Sequence, residues 1–193
     1  MDGKFCGHGV RRYESGNYYE GEFRDDTMNG SGKYVWVDGG FYEGEMADGK
    51  FCGRGVRIYG DGGCYEGEFK DSVRHGHGQF ASPDGSVYDG EWVEDAQTGA
   101  GILSLADGSV HEGDFVDGAA EGFGTRRYAN GDVYEGQWEN DSWCGHGTVR
   151  RSDGVTIEGD WSDEDNANNV TWTQNGEVKH GHIANKQFYQ DWS

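Results

Sequence analysis

A triplet of ring or apolar residue, acid and glycine, with tyrosine first in five of seven copies, returns every 23 residues along this chain, at Tyr19-Glu20-Gly21, Tyr42-Glu43-Gly44, Tyr65-Glu66-Gly67, Tyr88-Asp89-Gly90, His111-Glu112-Gly113, Tyr134-Glu135-Gly136 and Ile157-Glu158-Gly159. A Gly-x-Gly pair keeps the same beat from Gly7/Gly9 to Gly145/Gly147, and turn dipeptides such as Asp38-Gly39, Asp61-Gly62 and Asn130-Gly131 fall between. Self-similarity at a fixed period of this length marks a stack of identical supersecondary units, so the unit decides the architecture.

Each unit reads as two short strands. In Tyr-Glu-Gly-Glu-Phe the side chains of Tyr19, Gly21 and Phe23 share one face and Glu20 and Glu22 the other, and the Asp/Asn-Gly before the strand is a hairpin-turn signal. The second strand is predicted to begin at Gly-x-Gly, with Gly30, Gly32, Tyr34 and Trp36 on one face. No helical period competes. An aromatic or other apolar group follows each first-strand glycine by two positions, at Phe23, Met46, Phe69, Trp92, Phe115, Trp138 and Trp161. Where a Cβ is missing, a neighbouring ring can lie flat on the backbone and keep it dry. The expected fold is all-β, a single-layer antiparallel sheet of consecutive hairpins that makes its own thin core. A side chain at Gly67 would collide with the ring layer, whereas Glu68 looks outward.

Composition agrees with a thin core. The 193 residues are only 33% hydrophobic, and 36 glycines with one proline fit neither collagen nor a proline-bearing linker. A formal charge of −20 opposes attraction to nucleic acid or an anionic lipid surface. No apolar run approaches the ~20 residues of a membrane helix, and "MDGKFCGHG" lacks signal-peptide character, so a soluble, cytoplasmic protein is expected. Cys6, Cys52 and Cys144 occupy equivalent positions two and four units apart, too far to bridge, and with Cys64 they read as free thiols.

Repeats of this length reading Tyr-Glu-Gly-Glu-Phe/Trp, then Gly-x-Gly, an aromatic and Asp-Gly, resemble MORN repeats, over about Phe5 to Trp161. The resemblance implies an elongated rod of hairpins with an aromatic-lined groove, to which Tyr19, Phe23, Trp36, Tyr42, Tyr65, Phe69, Tyr88, Trp92, Tyr134 and Trp138 would contribute. It suggests the C-terminal part of a protist cytoskeletal scaffold, because the chain starts in mid-unit: "DGKFCGHGVR" at Asp2 nearly copies "DGKFCGRGVR" at Asp48. Residues 1–161 are read as the array of seven units, the first truncated, and 162–193 as a degenerate repeat or cap. Trp161, Trp172, Ile183, Phe188, Tyr189 and Trp192 are candidates for a dimer interface there.

Chemistry is sparse. Paired carboxylates such as Glu43/Glu45 recur in register, whereas an acid-base pair needs one unusual environment that splits two pKa values. No helix follows Gly-x-Gly to receive phosphate, and no catalytic constellation or required cofactor is read. Arg11, Arg57, Arg126 and Arg127 could contact anionic groups; the first three share the aromatic face and are expected to stack on rings instead. Cys144 and His146 share a strand face, and two such pairs meeting across a two-fold axis could complete a zinc tetrahedron. The function expected is a non-catalytic scaffold of the cytoskeleton or a membrane-adjacent assembly, homodimeric and binding cytoskeletal or scaffold proteins. The alternative implied by the resemblance is a phosphoinositide-binding or targeting module of a larger protein.

Overall fold

Alternation of ring, glycine and acid on a short period can only be satisfied by strands, and the described residues contain seventeen of them. The computed structural model describes residues 3–191. Contacts divide the chain into two units, Met1–Ala96 and Gln97–Ser193. The first holds β1 (Gly7–Arg12), β2 (Tyr18–Arg24), β3 (Thr27–Val35), β4 (Phe41–Ala47), β5 (Lys50–Ile58), β6 (Cys64–Lys70), β7 (Val73–Ala81) and β8 (Val87–Val93), each antiparallel to the next. The second holds β9 (Ala96–Ser104), β10 (Val110–Val116), β11 (Ala119–Arg127), β12 (Val133–Glu139), β13 (Ser142–Arg150), β14 (Thr156–Asp163), β15 (Asn166–Gln174), β16 (Glu177–Ala184) and β17 (Gln187–Gln190), paired in the same way. The fold is therefore the all-β, open antiparallel sheet of consecutive hairpins that the period predicts.

The second strand of each hairpin starts three residues earlier than its Gly-x-Gly, at Thr27 rather than Gly30 and at Lys50 rather than Gly53. Two-residue turns are the reason. Asp25-Asp26, Asp48-Gly49, Asn140-Asp141 and their equivalents hold positive φ at both central positions, the twist that joins adjacent strands most tightly. The chain enters the next strand at once, and the register then slips at a bulge, between Gly44 and Glu45 opposite Cys52 to Gly55 for instance. Gly53 sits in that bulge at φ +55°, with the Glu45 carboxylate where a side chain would go.

These turns also tie one hairpin to the previous one. Asp95 N donates to Arg74 O at 3.1 Å while Arg74 N donates to Asp95 Oδ1 at 3.0 Å, and Asp141 and Ala120 exchange the same pair of bonds. The five-residue loops carry the Asp/Asn-Gly signal, and the aspartate carboxylate caps the loop: Gly63 N donates to Asp61 Oδ1 at 2.9 Å.

The middle of the sheet is a ladder of glycines. Gly9, Gly21, Gly32, Gly44, Gly55, Gly67, Gly78 and Gly90 face one another across β1 to β8. The ring that fills the gap is the tyrosine of the repeat rather than the aromatic four residues after it: Tyr19 lies over Gly21 and Gly32, Tyr42 over Gly44 and Gly55, and Tyr65 over Gly67 and Gly78. A Cβ on Gly55 would stand 2.6 Å from the Tyr42 ring. Each tyrosine hydroxyl then donates to the carbonyl three residues on, as Tyr65 does to Glu68 at 3.0 Å and Tyr134 to Gln137 at 3.0 Å. Phe69 stands edge-on to Tyr65 and to Tyr42 of the preceding hairpin, with centroids 5.0 Å apart in both cases. Trp92, Trp138 and Trp161 use the same position to donate indole N–H to the carbonyls of Gly78, Gly124 and Gly147. Tyr65→Phe should keep the packing and lose one buried hydrogen bond, lowering unfolding free energy by about 1 kcal/mol in urea titration.

Candidate functional site

The strand alternation gives each unit two unlike faces. The ring face is a core. Tyr19, Tyr42, Tyr65, Tyr88 and Tyr134 are at most 1% exposed, and Phe23, Phe69, Trp92 and Trp138 are buried with them; of the ten rings proposed for a groove only Trp36 is part-exposed. Rings so covered hold the sheet upright and have little surface left for a partner. Burial pushes the Tyr65 hydroxyl up to about 12, so it stays protonated and donating.

A row of residues that the sequence reading passed over completes this core. Phe51 stacks on Tyr42 at 3.9 Å and Trp143 on Tyr134 at 4.0 Å, two positions before their Gly-x-Gly pairs. The equivalent Arg74 lies 4.1 Å over Trp92 and is fixed by Asp95 at 2.9 Å. The 23-residue spacing marks these positions, but their changing chemistry hides the equivalence.

The arginines fall into the same layer. Arg11 lies 4.8 Å over Phe23, Arg57 4.7 Å over Trp36 and 4.6 Å over Tyr59, and Arg126 5.2 Å over Tyr128. Arg127, one residue on, is exposed on the opposite face, so Arg126 and Arg127 do not converge.

The opposite face is open and acidic. In the first unit Glu20, Glu43, Glu66 and Asp89 form one row and Glu22, Glu45, Glu68 and Glu91 a second, all but Asp89 exposed. Between β5 and β8 this face dips into a trough of about 510 Å³ lined by Arg54, Val56, Glu66, His77, Gln79 and Asp89. On the ring face of the second unit a smaller cleft of about 250 Å³ is bounded by Tyr128, Trp143, Trp161, Arg151, Glu164 and Lys186. The Tyr128 hydroxyl accepts from Trp143 Nε1 at 3.1 Å and donates to Glu164 at 3.3 Å, and burial first, with Glu164 next, pushes it up to about 12.

Cys144 and His146 do sit on one face, separated by the bulge glycine Gly145 at φ +51°. The imidazole is already engaged, with Nε2 3.2 Å from Glu158 and Nδ1 3.3 Å from Asp160. Burial, with Glu139 and Glu121 beyond it, pushes the Cys144 thiol up, which disfavours the thiolate a metal needs. Among the described residues no three His, Cys, Asp or Glu side chains converge to hold a metal ion, and all four cysteines are free. Of the proposed dimer residues, Trp161 and Ile183 are buried within their own unit, Trp172 and Phe188 are part-exposed and Tyr189 is exposed; Trp192 lies outside the described residues.

No curated protein sequence matches the chain. Among solved structures, the G-box domain of the microcephaly protein CPAP superposes with a TM-score of 0.56 at 10% identity, covering 97% of this chain and 99% of that one. The TCP10 domain of Danio rerio CPAP gives 0.52 alone and 0.51 in complex with a peptide of Danio rerio STIL, both at 11% identity, over 90% and 91% of this chain and 83% of the other. At such identities the likeness is one of fold. The sequence model of the MORN repeat matches seven times, at residues 1–18, 19–41, 42–64, 65–87, 88–110, 111–133 and 134–156. These tandem matches span the glycine ladder and its tyrosines, and the chain belongs to the MORN-repeat family.

Proposed function

We propose that this chain is a non-catalytic structural scaffold that docks protein partners on the open face of its sheet and self-associates through its C-terminal strands. The observation that carries the reading is the division of labour between the faces. Every tyrosine of the ladder is consumed by packing, while the uncovered face beside it presents exposed carboxylates from hairpin to hairpin. The fold likeness to CPAP domains, one of them bound to a STIL peptide, supports a peptide-docking role at a cytoskeletal assembly in the cytoplasm.

The phosphoinositide alternative draws less support. Arg11, Arg57 and Arg126 are spent on rings, Arg127 lies on the opposite face from Arg126, and Arg150 in the same row as Arg127 is paired with Glu135, whereas an anionic headgroup needs converging cations. A zinc bridge between two copies would require His146 to leave both carboxylates that now hold it.

Residues 162–193 serve in this proposal as the cap and the dimer contact, with Trp172, Phe188 and Tyr189 as the apolar surface. Light scattering of the whole chain should give a dimer mass that falls to the monomer when Phe188 and Tyr189 are both changed to serine. A monomer before the substitution would refute self-association.

A further inference from the structure

On the open face of the first unit, the cross-strand pairing assembles an apolar band. Tyr18 pairs with Val35, Val35 with Phe41, Phe41 with Ile58, Ile58 with Cys64, Cys64 with Ala81 and Ala81 with Val87. One apolar side chain thus comes from each of the strands β2 to β8, and every one is only part-buried. In the chain these residues are scattered at alternating intervals, so the band exists only in the folded register. The second unit does not repeat it. There the corresponding row runs through Arg127 and Arg150, the latter held by Glu135 at 2.8 Å.

Acids line the band. The Glu20, Glu43, Glu66 and Asp89 row runs two residues to one side, and Asp38, Asp61 and Asp84 stand exposed in the loops at its other border. The chain's own cations show what this setting binds. Lys33 Nζ lies 3.8 Å over the Phe41 ring while pairing with Glu43 at 2.9 Å, and the Arg12 guanidinium lies 5.3 Å over Tyr18. Burial, then Glu66, pushes the Cys64 thiol up, in keeping with a low-dielectric strip beside an acidic row.

We infer that this band is the docking site for a basic amphipathic helix of a partner protein. The inference rests on the scaffold reading and names its partner chemistry. Pitch argues for a helix rather than a strand. Strands repeat every ~4.8 Å, a helix laid across them offers one apolar residue per ~5.4 Å turn, and an extended segment offers one per ~6.7 Å on the same face. Across seven strands, about 29 Å, the helix drifts by about 3.6 Å, less than one strand spacing, whereas the extended chain drifts by about 11 Å, more than two. About 20 residues cover that span. Lys and Arg flanking the apolar stripe of such a helix would meet the acid row and the loop aspartates, and their stems would lie along the band.

The test uses the whole chain and a synthetic helical peptide of about 20 residues, with leucine once per turn and lysine on both flanks. A glutamate-for-lysine version and a scrambled version of the same composition serve as controls. Fluorescence anisotropy should show saturable binding of the lysine peptide alone, weakened at least tenfold in 0.5 M salt against 0.1 M salt. Phe41→Ser with Ile58→Ser should weaken it at least tenfold, and Val133→Ser in the second unit should leave it unchanged. Glu43→Gln with Glu66→Gln, at exposed positions, gives an independent loss if the apolar variant folds poorly by circular dichroism. Equal binding of the scrambled peptide, or affinity unchanged in both double variants, would reduce the effect to bulk charge and overturn the inference. Light scattering on the same samples separates the two readings, because a dimer that binds no peptide keeps the scaffold and loses this site. A dimer abolished by the Phe41 and Ile58 changes would assign the band to a second copy and overturn the helix.

Discussion

Gly67→Ala is expected to cost about 3 kcal/mol of unfolding free energy, the upper end of what overpacking a filled core costs. The added methyl would stand 2.5 Å from the Cα of Gly78 on the neighbouring strand and 2.5 Å from Tyr65 Oη. A flexible side chain could swing aside; a facing backbone and a ring fixed by its own hydrogen bond to Glu68 cannot. The strain is steric only, since Gly67 is not among the glycines held at positive φ. Glu66→Ala, one residue away on the exposed face, should stay within about 0.5 kcal/mol of the parent. Because repeat arrays lose cooperativity locally, the decisive readout is hydrogen exchange at β6 and β7 alongside urea unfolding. Protection that survives the alanine unchanged would mean that the sheet holds itself up by something other than rings on bare backbone.

That mechanism was partly legible in the chain itself. The 23-residue beat fixes the hairpins, and parity within Tyr-Glu-Gly-Glu-Phe assigns Tyr65, Gly67 and Phe69 to one face and both glutamates to the other. Which ring fills the glycine gap was not legible, because the candidates two before and two after are both aromatic. The structure chooses Tyr65, whose hydroxyl reaches a carbonyl that phenylalanine could not use. The two-residue turns escaped notice because Asp25-Asp26 and Asp71-Ser72 carry no glycine, although Asp and Asn tolerate the left-handed region. The apolar band was invisible for a different reason. Val35 and Phe41 are neighbours through one loop and Phe41 and Ile58 through a bulged hairpin, so spacing alone never aligns them. Within the face assigned to the groove, the rings proved to be core, and the open surface lay on the side that parity marks as charged.

His111 should make the second unit acid-sensitive. It takes the tyrosine position of its repeat, is 3% exposed, and lies 4.6 Å from Trp138 and 5.3 Å from Phe115. Neither ring nitrogen has a hydrogen-bond partner among the described residues, so the carbonyl contact that tyrosine makes elsewhere is missing. Burial, with the Arg126 guanidinium on the adjoining strand β11 adding to it and Asp141 opposing, lowers its pKa from 6.5 to about 4. The folded state therefore favours the neutral ring. Above pH 6.5 the folded and unfolded chains carry the same neutral imidazole and nothing is lost. As pH falls from 6.5 toward 4 the unfolded chain takes up a proton that the folded chain refuses, and stability declines by about 3 kcal/mol over that window before levelling off. Many carboxylates titrate nearby, so the parent must be compared with His111→Tyr, in which those groups are common to both. The tyrosine hydroxyl would also regain the geometry used by Tyr88 and Tyr134 toward the third residue on. Urea unfolding of the two proteins should show a stability gap that widens by about 3 kcal/mol between pH 7 and pH 4. A gap independent of pH would mean that the imidazole is hydrated or protonated in the fold, and that the ring layer of this repeat is open to water.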